Sequence, residues 1–107
     1  MIDQLFDQGS SLKQGPVKLI YIPLDSGGNR AGFSVPKKLM PRAVDRNMVK
    51  RKMREAYRLH KHMLSPDAGQ HFAMMFLYLS SKKPSYSGVE QAIVGLMDKL
   101  KTQAEKQ

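Results

Sequence analysis

The sequence predicts an α+β fold, a two-layer sandwich with elements in the order α-β-β-(β)-α-β-α. Three observations carry that prediction. Val17–Leu24, VKLIYIPL, is dense in β-branched and aromatic side chains, as a strand requires. Residues 43–64 separate apolar from basic side chains at helical spacing. The segment from Ser87 opens with a Ser-x-x-Glu pattern that caps helices, then places apolar residues three and four apart.

Taken in order, Ile2, Leu5 and Phe6 recur at i, i+3 and i+4, the spacing of a short first helix, and Gly9 suits its end. Asp3 and Asp7 near its start fit the positive end of a helix dipole. Residues 9–15 leave room for one further short strand, although Gly15 and Pro16 interrupt it. Pro23 marks the strand over 17–24 as an edge or an end, because proline donates nothing to a ladder. The run DSGGN at 25–29 is turn chemistry, and RAGFSV at 30–35 alternates apolar and small residues, so these two strands are expected to pair as a hairpin.

Helical periodicity follows. At about 100° per residue, Val49, Met53, Ala56, Tyr57, His60 and Leu64 share one face, and Asn47, Lys50, Arg51, Arg54, Arg58 and Lys61 share another. The run FAMMFLYL at 72–79 is apolar on both alternations, as expected of a central strand covered on two faces. The last helix then turns Val89, Ala92, Ile93, Leu96, Met97 and Leu100 inward, and the polar residues after Leu100 are expected to fray.

Charge narrows the function. The 107 residues, enough for one domain over 1–107, hold 18 Lys and Arg against 9 Asp and Glu, a net of +9. Segment 37–61 alone carries +8 of it, from ten basic residues and the two acids Asp45 and Glu55. Charge gathered on one short element is the footprint of a polyanion binder, because each neutralised phosphate releases counterions. The alternative is a solvated helix face that only keeps the protein soluble. No run approaches the roughly 18 apolar residues of a membrane span, and the N-terminus MIDQLFDQG is polar and acidic, so a cytoplasmic protein with no membrane association is expected. Cysteine is absent, which removes disulfides and thiolate chemistry.

Arrangements able to catalyse a reaction are missing from the sequence. His60 and His62, two apart, point in different directions on a helix and do not share a metal, and His60 falls on the apolar face as a packed side chain. Asp45 and Glu55 lie ten residues apart, roughly 15 Å along a helix, too far to divide acid and base roles. With no phosphate-gripping glycine loop and no Ser/His/Asp order, no catalytic residue and no metal site are expected, and binding is the better reading.

Segment 44–58, VDRNMVKRKMREAYR, takes the reading further. It resembles the signature helix of bacterial ribonuclease P proteins, with Arg-Asn, then Lys-Arg, then Arg-Glu and a further Arg at this spacing. The preceding FSVPKK at 33–38 is similar to the small-residue strand that leads into a lysine pair in that family. The resemblance implies a protein subunit of the ribonuclease P ribonucleoprotein, which assists a catalytic RNA in removing the 5′ leader from precursor tRNA. Its partners would be that RNA and precursor tRNA, with the protein monomeric by itself and Mg²⁺ held mainly by the RNA.

Carried over residue by residue, Lys37, Lys38, Arg46, Asn47, Lys50, Arg51, Arg54, Arg58 and Lys61 would contact RNA. Phe6 and Tyr21 would line a groove for the single-stranded leader, where base stacking contributes roughly 1–3 kcal/mol per base. Read from the residues alone, both aromatics suit a core equally well. Met48 stands where the family often has a third basic residue, and Pro36 where it often has serine. A left-handed strand-helix-strand crossover is also implied by the family, against the right-handed rule for such connections. The alternative is a ribosomal or other structural RNA-binding protein.

Overall fold

The most apolar segment of the chain takes a central place in the sheet, and the other elements arrange themselves about it. A computed structural model describes residues 9–64 and 71–105, which form β1 (Ser10–Gln14), β2 (Val17–Leu24), β3 (Arg30–Ser34), α1 (Ala43–His60), a 3₁₀ turn (Lys61–Leu64), β4 (His71–Tyr78) and α2 (Tyr86–Glu105). The strands lie in the order β1-β2-β4-β3. The α+β prediction holds, the optional strand is β1, and the expected first helix with Phe6 falls outside the described residues.

One pairing differs from expectation. β2 and β3 do not form a hairpin, because β4 lies between them, antiparallel to β2 and parallel to β3. The hairpin of the sheet is β1–β2, with Gln14 opposite Val17 across Gly15-Pro16. Gly15 has φ +57° and Pro16 cannot adopt positive φ, the combination of a type II′ turn. β1 covers β2 only as far as Tyr21, so among the described residues Pro23 lies where that side of β2 has no partner strand.

The 25–29 run is a turn, as its composition predicts, but it crosses over the start of β4. Gly27 and Gly28 both take positive φ there. The Gly28 N–H donates to His71 Nδ1 (3.0 Å), the Phe72 N–H donates to Asn29 Oδ1 (2.9 Å), and Asn29 Nδ2 donates to the Leu64 carbonyl (2.7 Å). Asn29 thereby ties Leu64 and Phe72 to the β2–β3 loop.

Side-chain alternation sends Val17, Leu19, Phe72, Met74, Phe76 and Tyr78 to one sheet face, where Val49, Met53 and Ala56 of α1 pack. Val89, Ala92, Ile93, Leu96, Met97 and Leu100 of α2 complete this core, as the periodicity requires. The opposite face carries a smaller set, with Ile20 and Ala73 buried and Ile22, Leu24, Met75 and Leu77 beside them. The two described helices therefore pack on one face, not on both as expected for residues 72–79.

Both helix ends also shift. α1 stops at His60 and tightens into the 3₁₀ turn, which still buries Leu64, and α2 continues to Glu105 instead of fraying after Leu100. The α2 cap is Ser85, whose Oγ accepts from the Gly88 N–H at 3.1 Å. The expected Ser87–Glu90 box does not form, because Ser87 lies inside the helix and Glu90 turns to His60 at 3.1 Å. Among the described residues no helix is long and apolar enough to cross a membrane. Ser85→Ala should therefore lower stability by about 1 kcal/mol and Ser87→Ala by less than about 0.5 kcal/mol in urea unfolding. The reverse ranking would return the cap to Ser87.

Candidate nucleic-acid interface

The cations of segment 37–61 do not form one uniform set, because the backbone and neighbouring acids engage several of them. Asn47, Arg51, Arg54, Arg58 and Lys61 are exposed and Lys50 is half-exposed, along the outer side of α1 and its 3₁₀ extension. On an ideal helix these positions span a stripe about 100° wide, opposite the face that buries Val49, Met53 and Ala56. Lys37 and Lys38 are exposed on a turn before the helix, closed where the Leu39 and Met40 N–H groups donate to the Pro36 carbonyl (3.1 and 3.2 Å).

Three cations of this segment are engaged by partners among the described residues. Arg46 is half-buried and its Nη1 donates to the Met40 and Pro41 carbonyls, both at 2.8 Å. Lys52 reaches the Pro84 carbonyl at 2.8 Å. Arg58 binds Glu55 through both Nε and Nη2. The Arg58 hydrogen bond lowers the Glu55 pKa from its ordinary value; slight burial opposes this, and the Arg58 charge adds to the lowering. Reciprocally, Glu55 raises the pKa of Arg58.

Beside the stripe, β3 and α1 enclose an open groove lined by Asn29, Ala31, Phe33, Arg54, Tyr57, Arg58 and Lys61. Phe76, fully buried, forms an aromatic base, stacked on Phe33 at 5.5 Å with Tyr57 at 5.9 Å. The Arg54 guanidinium lies 6.0 Å from the centre of the Phe33 ring, within cation–π range. Burial raises the Tyr57 pKa above its ordinary value. Phe33 and Tyr57 were not among the predicted aromatics. Phe33 meets Phe76 through the parallel β3–β4 register and Tyr57 meets it through the packing of α1 on the sheet, neither of which local sequence signals reveal.

Tyr21 projects from β2 to the helix-bearing face, half-buried, with its ring edge-on to Phe72 at 5.9 Å. It thus packs on the core and keeps part of its surface open. Phe6 lies outside the described residues. His60, expected to be packed, is half-buried and pairs with Glu90. Among the described residues, no three His, Asp or Glu side chains gather into a group that could hold a metal ion.

In class, this is a small α+β protein in which the parallel pair β3–β4 is joined by a crossover helix with a cationic outer side. Residues 1–101 match the family model described as Ribonuclease P, and the chain belongs to that protein family. It is 48% identical over 90 residues to the ribonuclease P protein component of Chlorobaculum tepidum, covering 72% of this chain and 58% of that one. To the corresponding component of Porphyromonas gingivalis it is 36% identical over 100 residues, covering 86% and 72%. The chain thus spans less than two thirds of the length of the first of these relatives.

Solved structures agree in fold. The RNase P protein from Thermotoga maritima superposes with a TM-score of 0.79 at 20% identity, covering 92% of this chain and 89% of that one. The Staphylococcus aureus protein gives 0.77 at 20% identity, covering 92% and 87%.

The Glu55–Arg58 pair makes a pH-dependent contribution of defined sign. Glu55 has a lowered pKa in the folded state, so the pair stabilises above the unfolded-state pKa, and that contribution is lost as pH falls through the folded one. In a carboxyl NMR titration Glu55 should titrate below an unperturbed glutamate, and Arg58→Met should restore the ordinary midpoint. A midpoint that Arg58→Met does not move would separate the two residues.

Proposed function

We propose that this chain is the protein subunit of a ribonuclease P ribonucleoprotein, binding the RNA subunit and the 5′ leader of precursor tRNA while the RNA carries out the cleavage. The observation that carries the reading is the outward stripe of Asn47, Arg51, Arg54 and Lys61, with the half-exposed Lys50, on the crossover helix of a ribonuclease P family fold. With Lys37 and Lys38 it supplies a row of cationic donors suited to phosphates. The groove beside Arg54 offers the half-exposed rings of Phe33 and Tyr57, and Tyr21 offers a further aromatic edge, as unpaired bases need for stacking. Phe6 is assigned to the same leader surface by family resemblance.

In this reading Mg²⁺ belongs to the RNA, where it would activate the attacking water and stabilise charge on the phosphate. The protein works through its own residues. Lys and Arg neutralise phosphates as two polyanions approach, and the aromatic groove holds the leader. The protein acts as a monomer in the cytoplasm.

Purified protein should leave precursor tRNA intact at every Mg²⁺ concentration. Added to its ribonuclease P RNA at low Mg²⁺, it should restore cleavage at the leader junction, with an advantage that shrinks as Mg²⁺ or salt rises. Robust cleavage by protein alone, surviving ribonuclease treatment, would overturn the division of labour, and binding to ribosomal RNA in preference would favour a structural role. Arg54→Ala should weaken binding to the RNA and reduce the log–log salt slope by about 0.7–0.9 for the lost phosphate contact. Met48, half-buried and outside both core clusters, should accept Met48→Arg without loss of thermal stability or of RNA affinity.

A further inference from the structure

Arg46 stands apart from the cationic stripe of α1 in three respects. On the ideal helix it falls within about 20° of both Met53 and Tyr57 and roughly 90° from the centre of the cationic stripe. It is half-buried where most of the stripe is exposed. Its Nη1 donates at 2.8 Å to two successive carbonyls, those of Met40 and Pro41, just ahead of the helix.

The position itself is electrostatically unfavourable. Arg46 lies in the first turns of α1, where the helix dipole disfavours a cation, and the N-cap residue Arg42 makes no side-chain cap. The two charge-assisted hydrogen bonds to carbonyl oxygens offset that penalty, and they close a short structure. Val35 and Met40, both buried, anchor the ends of a turn held by the Pro36 carbonyl, and Lys37 and Lys38 project from it. Arg46 joins the C-terminal anchor of this turn to the helix.

We propose that Arg46 is a positioning residue that fixes the Lys37–Lys38 turn to the N-terminal end of α1, so that the two ammonium groups meet RNA in a set geometry. The inference rests on the RNA-binding reading above and revises the direct contact that family resemblance assigns to this arginine. Ordering the turn before binding removes an entropic cost that would otherwise fall on the complex.

Two measurements test it. In the RNA-free protein, Arg46→Ala and Arg46→Met should speed amide exchange at Leu39 and Met40 roughly tenfold or more while leaving Phe76 in β4 unchanged; Met keeps the apolar stem and guards against simple loss of packing. Affinity for the ribonuclease P RNA should fall roughly tenfold in Arg46→Met. It should fall less than about twofold further when the same change is made in a Lys37→Ala/Lys38→Ala background. Unchanged exchange at Leu39 and Met40 would overturn the clamp. So would a full additional loss in the lysine-free background, which would identify Arg46 as a direct phosphate contact. If the wild-type protein binds no RNA, the proposed function fails by itself, and the exchange measurement still decides whether Arg46 holds the turn.

Discussion

The insertion of β4 between β2 and β3 is the constraint on which the rest of this structure depends. β4 is apolar in both alternations, with Phe72, Met74, Phe76 and Tyr78 on one side and Ala73, Met75 and Leu77 on the other. A strand of that kind loses too much burial at an edge, so it takes a central position. Once it lies parallel to β3, the chain needs a crossover, and α1 is that crossover. The basic helix is thus laid across the sheet by topology. Its Val49-Met53-Ala56 face is fixed inward, which leaves Lys50, Arg51, Arg54 and Arg58 on the outer side.

This constraint also explains what was legible in the sequence. The central character of residues 72–79, the strand at 17–24, the two faces of α1 and the inward face of α2 all follow from periodicity, which reports burial directly. Pairing partners do not. DSGGN followed by RAGFSV has the chemistry of a hairpin, yet a five-residue loop can also span two strand spacings, about 9–10 Å, and admit a third strand. The choice was made by the distant β4. Gly15-Pro16 misleads in the other direction, since a pair that breaks most strands is here the turn of the β1–β2 hairpin.

The site was legible to a similar depth. The stripe of Asn47, Lys50, Arg51, Arg54, Arg58 and Lys61 is a local helical pattern, and the structure places those residues where the pattern requires. The aromatic groove was not legible, because Phe33 and Tyr57 read singly as core residues and become a lined groove only when β3 pairs beside Phe76. The α2 cap failed for a smaller reason. Ser85 and Ser87 are two apart, and only the helix start at Tyr86 separates them, while Glu90 has a partner in His60 that no local rule supplies.

A segment charge of +8 therefore stands for two different physical quantities. At separations near the Debye length, about 8 Å at physiological ionic strength, an approaching polyanion responds to net charge. There Arg46 and Lys52 count in full, because a carbonyl acceptor leaves the charge in place, whereas Arg58 and Glu55 cancel. At contact distance the order changes. A phosphate needs donors with no partner among the described residues, which Lys37, Lys38, Lys50, Arg51, Arg54 and Lys61 offer, and Arg58 adds only the Nη1 donors that its Glu55 contact leaves over. Field and contact are thus set by overlapping but distinct residues, so steering and final affinity in this helix can change independently of each other.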